Sequence, residues 1–308
     1  MNPFAIISHP DCLRHEMGKW HPECPDRLHA IRDQLIASGL DIHFLHLEAP
    51  LVTDEALERV HSKDYVESIK VASPATGIVQ LDPDTAMNPH TLQAARRAAG
   101  AVVSGVDQVM SGKIGGAFCN VRPPGHHATR NGAMGFCIFN NVAVGAAHAL
   151  EQHGLEKVAI VDFDVHHGNG TEDIFWRDPR VLMTSIFQHP FYPFSGISGR
   201  SEHMVNIPLP AGSNGEVFRQ VVEQYWIPAL ESFKPQMIFF SAGFDAHVED
   251  DMAGLAFVEE DYAWVTQRIR EVAESHAKGR MVSTLEGGYA LHALGRSAAA
   301  HIKALAGL

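Results

Sequence analysis

The sequence predicts a single α/β domain with a mainly parallel sheet and helices on both faces. Three observations lead there. Short apolar runs rich in Val, Ile, Phe and Met alternate with longer amphipathic segments, the pattern of βαβ crossovers. Several runs are apolar at nearly every position, as strands buried on both faces require. No repeat, low-complexity tract or long linker divides the 308 residues, so 1–308 reads as one domain.

In chain order, Phe4–Ser8 reads as the first strand. Pro25 takes the first position of a helix carrying Leu28, Ile31 and Leu35, and Gly39 stops it. A long helix spans Thr91 to Met110, followed by a strand at Gly116–Val121 and a helix from Asn141 to Gln152. Val158–Asp164 and Val181–Phe187 are strands, and Glu216 to Phe233 is helical. Met237–Ala242, a helix from Glu260 to His276, and Met281–Leu285 complete the pattern.

Composition bounds the function. Hydrophobic residues make up 45% and charged residues 19%, enough apolar material for a sizeable core. No apolar run approaches the ~18 residues of a membrane span. The start, MNPFAIISHPD, lacks a basic region before its short apolar stretch, so no secretory signal is expected. With four cysteines (Cys12, Cys24, Cys119, Cys137) that form no CxxC, a disulfide framework is not expected either, and the reading is cytoplasmic. Twenty-four basic against thirty-six acidic residues give a net charge of −12, which repels phosphate backbones and disfavours nucleic-acid binding. The unusual count is twenty histidines, which directs attention to His/Asp metal centres.

A parallel sheet of this kind carries its chemistry in loops beyond the carboxyl ends of its strands. Four apolar runs end that way: GAFCNV leads into RPPGHH, VAIVDF into DVHHGNG, MIFFSAG into FDAH, and MVSTL into EGGY. In VAIVDFDVHHGNG, strand alternation turns Asp162, Asp164 and His166 to one face, where two neighbouring carboxylates call for a cation. Asp164 and His166 make half of a tetrahedral zinc site, and Asp245 is a candidate third ligand from another strand end. Three protein ligands leave the fourth position for water, the mark of a catalytic site. Iron(II) or another divalent ion suits the same donors. The plainer alternative makes the acids and His166–His167 a solvated loop and Asp245 a turn residue.

His126 and His127 follow a stiff Pro-Pro-Gly turn and titrate in the range suited to proton transfer. Asp162 is free to orient one imidazole and Asn169 to hydrogen-bond the other. Gly287 and Gly288 let a loop approach a ligand closely and turn Tyr289 inward, where its phenol can polarise a carbonyl. Read alone, the histidines are ordinary loop residues and Tyr289 a packed side chain.

The ordered set HPECPDRLHAI, RPPGHHA, MGFCIFNN, VDFDVHHGNGT, SAGFDAH and LEGGY closely resembles the histone deacetylase family, including bacterial deacetylase-like amidohydrolases and acetylpolyamine deacetylases, over nearly the whole chain. HPFYP and GNGT look more like its class II branch. The resemblance implies the arginase/deacetylase-like three-layer α/β fold and zinc-dependent hydrolysis of an N-acetyl amide to acetate and a free amine. It implies one zinc held by Asp164, His166 and Asp245, with His126, His127 and Tyr289 catalytic and Asp162 orienting His126. Asn169 stands where some relatives carry aspartate, which should leave His127 less readily protonated. Potassium is implied beside the metal at Asp162, Asp164, His166 and Ser185, and at a distant site near Phe175 and Val181. Gly135 and Phe136, with Phe191 or Tyr192, resemble the walls of an acyl-lysine channel, and Arg27 an internal arginine near an acetate exit.

The partner expected is an acetylated lysine peptide or a small acetylated amine. Polyamine-selective relatives carry an acid shortly after the third ligand, where Met252 stands here, although Glu249, Asp250 and Asp251 can still attract cations. Two other classes are weighed. A non-catalytic acyl-amine sensor would keep the pocket but have no need of Tyr289 and both loop histidines. A two-manganese ureohydrolase would need more Asp/His ligands than these loops supply. The sequence leaves the oligomeric state open.

Overall fold

The computed structural model describes residues 2–197 and 201–308. Its centre is an eight-stranded sheet, parallel throughout. The strands are β1 (Phe4–Ser8), β2 (Phe44–Glu48), β5 (Gly116–Cys119), β6 (Val158–Asp162), β7 (Val181–Gln188), β8 (Met204–Leu209), β9 (Ile238–Ala242) and β10 (Met281–Leu285). Their spatial order is β2-β1-β5-β10-β9-β6-β7-β8. A small antiparallel hairpin, β3 (Val79–Asp82) and β4 (Thr85–Met87), stands apart.

Helices cover both faces. On one side α4 (Thr91–Met110) and α5 (Asn141–His153) pack on each other and on the sheet. On the other, α1 (Asp26–Ala37), α9 (Glu259–His276) and α10 (Leu291–Ala306) form a second layer, so the three-layer architecture expected from the sequence is what the chain adopts. Short helices α2 (Asp54–Glu58), α3 (Lys63–Ala72) and α6 (Asn169–Phe175) lie in the connections. No helix among the described residues is long and apolar enough to cross a membrane.

The central strands explain their own sequences. Every residue of β5, β6, β7, β9 and β10 is buried, so no polar face is needed and the runs stay apolar to their ends. At the heart of the second layer, His301 of α10 is buried among Phe118, Phe163, Phe240 and Phe244 and hydrogen-bonds the hydroxyls of Thr266 (2.6 Å) and Ser283 (2.9 Å). Burial lowers its pKa to about 3, so this histidine is a neutral packing residue.

Several elements differ from expectation. The strand beginning at Val158 ends at Asp162, two residues early, because carboxylates replace the ladder as backbone partners. Asp164 N–H donates to Asp162 Oδ1 (3.1 Å), His166 N–H to Asp164 Oδ1 (2.8 Å) and Val165 N–H to Asp245 Oδ1 (3.0 Å). Asp164 and His166 therefore sit on a loop, not a strand. Pro25 caps its helix instead of taking the first position. The helix expected from Glu216 to Phe233 is α7 (Gly215–Val221) and α8 (Ile227–Phe233), joined by a π-helical stretch at Val222–Trp226. Pro228, near the start of α8, has no N–H with which to continue an α-helical ladder.

Candidate metal and active site

The four strands whose carboxyl ends carry the candidate residues, β5, β10, β9 and β6, are consecutive neighbours in the sheet. Loops that are far apart in sequence therefore open at one edge, side by side. Asp164 and His166 come from the β6 loop, Asp245 from the β9 loop, His126 and His127 from the β5 loop, and Tyr289 from the β10 loop.

Asp164, His166 and Asp245 form a buried triad whose donor atoms all lie within 4.8 Å of one another. His166 Nδ1 is 3.1 Å from Asp164 Oδ1 and 3.1 Å from Asp245 Oδ2. Burial pushes the Asp245 carboxyl up to about 6, aided by the charge of Asp164. Burial alone would keep His166 neutral, but its hydrogen bonds to both carboxylates push it up to about 10. Two buried acids thus flank one imidazole at the place where a divalent cation would balance their charge, and one imidazole with two carboxylates is a donor set such an ion accepts. Gly287 closes over this triad. Its N–H donates to Asp164 Oδ2 (2.8 Å), and a Cβ at this position would overlap Asp245 Oδ2. Gly287→Ala is accordingly expected to weaken metal binding about 10- to 100-fold without unfolding the chain, read by equilibrium dialysis against zinc.

His126 and His127 lie with ring centroids 4.1 Å apart but have different partners. His126 Nδ1 donates to the Asp162 carboxylate (3.0 Å). Its burial opposes charge, yet Asp164 and Asp162 hold its pKa well above the usual range. His127 Nδ1 donates to the neutral Asn169 Oδ1 (2.7 Å), while Asn169 Nδ2 points to Met134 Sδ. Burial and the neighbouring cations of His126 and His166 hold His127 well below the usual range. With Nδ1 protonated, its Nε2 is left as a free acceptor. The MGFCIFNN segment holds the histidine loop in place: Asn140 Nδ2 donates to the carbonyls of His126 (3.5 Å) and Ala128 (3.2 Å), and Asn141 Nδ2 to that of Pro123 (3.0 Å).

A cavity of about 180 Å³ leads to these groups. Phe136, Phe191, Tyr192 and Met252 line it, with Gly135, Gly287, Asp84 and Tyr289. Phe191 stacks on His166 (5.6 Å between centroids), and Tyr192 meets His127 edge-on. Gly135 has a left-handed φ of 56°, and a Cβ there would collide with the His127 ring, so only glycine lets the wall pass this close. Tyr289 lies across from Phe136, and burial keeps its phenol protonated despite the nearby Arg27 charge.

Ser185 of β7 is the register partner of Asp162. Phe175 ends α6, and its carbonyl accepts from Asp178 N–H (2.9 Å) and His203 Nε2 (3.3 Å); Val181 opens β7. Gly288 and Arg27 meet behind the site: Arg27 Nε donates to the Gly288 carbonyl (2.6 Å) and its NH2 group to that of Glu286. The acids after Asp245 are mostly engaged. Glu249 pairs with Arg296 (2.6 Å), and buried Asp250 accepts from the backbone N–H groups of Tyr289 (2.6 Å) and Ala290 (3.0 Å), so among the described residues only Asp251 of the three has no side-chain or backbone partner.

Three contributors escaped the sequence reading. Asp250, which the sequence offers only as one of three acids able to attract cations, orients Tyr289 by accepting from its N–H. Glu286 accepts from the N–H groups of Gly125 (2.6 Å) and His126 (3.1 Å) and from the Ser241 hydroxyl (3.1 Å), tying two active loops together. Its place within EGGY was a usable signal. Asp84, from the turn between β3 and β4, reaches the cavity across 51 residues of sequence and accepts from Gly135 N–H (2.9 Å).

Comparison with known proteins agrees with this geometry. The histone deacetylase domain matches residues 21–305. The chain is 37% identical to a histone deacetylase-like amidohydrolase of Pseudomonas aeruginosa, covering 91% of this chain and 77% of that protein. It is 38% identical to a probable deacetylase of Archaeoglobus fulgidus, covering 93% of this chain and 81% of that one. Among solved structures it superposes on the HDA15 HD domain with a TM-score of 0.94 at 34% identity, over 99% of this chain and 88% of that one.

Proposed function

The chain belongs to the histone deacetylase family, and from that premise we propose that it hydrolyses the N-acetyl amide of lysine-like amines with one divalent ion held by Asp164, His166 and Asp245. Zinc is the ion we favour, with iron(II) the alternative for the same donors. The observation that carries the reading is two adjacent imidazoles of unlike partnership facing a buried two-acid, one-histidine triad at the floor of an aromatic-walled cavity. When bound, such an ion supplies Lewis-acid polarisation to the scissile carbonyl and the attacking water.

The chain's own groups do the rest. Phe136, Phe191 and Tyr192 enclose an aliphatic stem and exclude water. Neutral His127 takes the water's proton at Nε2 as the C–O bond forms, and returns it to the amine nitrogen as the C–N bond breaks. His126, balanced by Asp162, keeps a positive charge beside the developing anion. Tyr289 donates its phenolic hydrogen to the carbonyl oxygen. Arg27 is read as the internal cation toward which acetate departs. Potassium beside Asp162 and Ser185 is part of this reading, supported by the buried acids there; a second ion near Phe175 and Val181 rests on the resemblance alone.

Acetyl-lysine in peptides is the substrate class we favour, because Met252 lines the cavity where an acid would select polyamines, while Glu249 is paired with Arg296 and buried Asp250 is engaged by backbone N–H groups. Small acetylated amines are the second reading, favoured by the Asp84 carboxylate on the cavity wall. A panel of acetyl-lysine peptides, acetylpolyamines and longer acyl amides distinguishes them. Acetate release is expected mainly from the peptides, lost on chelation and restored by zinc. Release that survives complete metal removal would overturn the metal assignment, and exclusive turnover of acetylpolyamines the substrate assignment.

A further inference from the structure

A second cluster of metal-type donors lies far from the channel. Asp107 in the last turn of α4 faces His148 and His153 near the end of α5. Both imidazoles converge on a single oxygen: His148 Nε2 and His153 Nε2 each lie 2.7 Å from Asp107 Oδ1. The three donor atoms lie within 4.8 Å of one another, as those of Asp164, His166 and Asp245 do. We propose that Asp107, His148 and His153 form a second divalent-cation site, for zinc or a similar borderline metal, that clamps α4 to α5.

The geometry asks for little movement. Zinc with bonds of about 2.0–2.1 Å places tetrahedral ligand atoms roughly 3.3 Å apart, within small side-chain shifts of the present separations. The rings are 5.4 Å apart at 72° to each other, so both nitrogens can aim at one point from different directions. Two imidazoles and one carboxylate favour zinc, cobalt, nickel or copper over magnesium or calcium. The carboxylate is 50% exposed, which gives the ion an entry path and leaves room for water as fourth ligand. Both donor helices end here, and the negative ends of their dipoles add to the attraction.

One neighbour opposes the ion. Arg59 NH1 lies 3.0 Å from His148 Nδ1 and can only donate, so it fixes the tautomer with hydrogen on Nε2, the atom that must bind metal. Binding therefore requires the proton to leave Nε2, Nδ1 to become the N–H, and Arg59 to withdraw toward Glu55, its partner at 3.1 Å. That coupling gives the site an unusual signature: an arginine whose removal should tighten metal binding.

The site and the catalytic triad are at opposite ends of the sheet. Helices α4 and α5 run back against the strands they precede, so their last turns lie at the amino edge, whereas the triad lies at the carboxyl edge. Variants here leave the channel untouched, and the proposal stands whether or not the chain deacetylates. The test is equilibrium dialysis of chelator-treated protein against zinc chloride, with bound metal counted per chain. Wild type is expected to hold one more equivalent than the Asp107→Asn/His153→Gln double variant, with equal amidase activity in the two zinc-loaded proteins. Arg59→Gln is expected to bind that additional ion about tenfold more tightly, the equivalent of the one charged hydrogen bond to His148 Nδ1 that no longer has to be broken. Equal zinc content in wild type and double variant, or weaker uptake in Arg59→Gln, would overturn the site. Losing an equivalent in Asp245→Asn but not in the double variant would place all the metal in the channel and sink the second site alone.

Discussion

Tyr289→Phe is expected to lower turnover about 10²- to 10³-fold, the loss seen when one donor to a developing oxyanion is removed. The substitution is clean because the ring is held by its backbone and its faces, not by its hydroxyl. Asp250 fixes the Tyr289 N–H, Arg27 holds the Gly288 carbonyl, and the guanidinium of Arg27 lies 4.9 Å from the ring centroid. None of these contacts needs the oxygen. Zinc content and KM should therefore stay near wild type while kcat falls, the pattern of an interaction made mainly in the transition state. Burial keeps the phenol in its donor form at neutral pH, so the defect should persist across the neutral range instead of appearing only at one end. Near-normal kcat in metal-replete protein would remove Tyr289 from the mechanism.

Glu23→Gln is expected to cost about 3–5 kcal/mol of stability, a large part of what holds an ordinary domain together. Glu23 is fully buried between two arginines that are also fully buried. Its carboxylate receives Arg122 through two nitrogens, one at 2.7 Å, and Arg27 NH1 at 3.1 Å, with His15 Nε2 at 3.3 Å. Although burial opposes its charge, Arg122 first and then His15 and Arg27 hold the carboxyl well below the usual range. A neutral amide of the same shape leaves two guanidinium groups in the interior without an anion. The denaturant midpoint should drop with little change in slope, and activity should fall with it, since Arg27 also supports the loop that carries Tyr289. An unfolding free energy within about 0.5 kcal/mol of wild type would show that water or rearrangement satisfies the arginines.

The two candidate catalytic histidines illustrate how adjacent identical side chains acquire different tasks. A carboxylate behind His126 favours the imidazolium, whereas an amide behind His127 offers a hydrogen bond but no charge. The second arrangement leaves a neutral acceptor next to a cation, which is what a single base working beside an electrostatic partner requires.

Much of this was written locally. The buried strands at Val158, Val181 and Met281 announce themselves because both of their faces meet helices, and burial on both sides demands continuous apolar sequence. Edge strands escape that demand. Phe44–Glu48 is largely exposed, and Met204–Leu209 carries Pro208 on the outermost strand, where an N–H can be spared, so neither has the composition of a core strand. The C-terminal helix Leu291–Ala306 is a different case: Leu294, Ala298, Ile302 and Leu305 recur at helical spacing on the face that packs against α1 and α9, a local signal the expected element order did not use.

Residue type and near-neighbour spacing were enough to fix the fold class and the buried strands and to single out the candidate site residues, because each is a local property of the chain. Tertiary structure alone decided the strand order that makes β5, β10, β9 and β6 neighbours, and with it the meeting of Asp164 and His166 with Asp245. It also decided that Asp250 and Glu286 would be spent on backbone N–H groups, that Asp84 would reach the cavity, and that Asp107 would face two histidines of another helix. These pairings span tens to more than a hundred residues of chain. Such contacts are fixed by how the layers pack and by where crossovers return, and no local pattern of side chains encodes that.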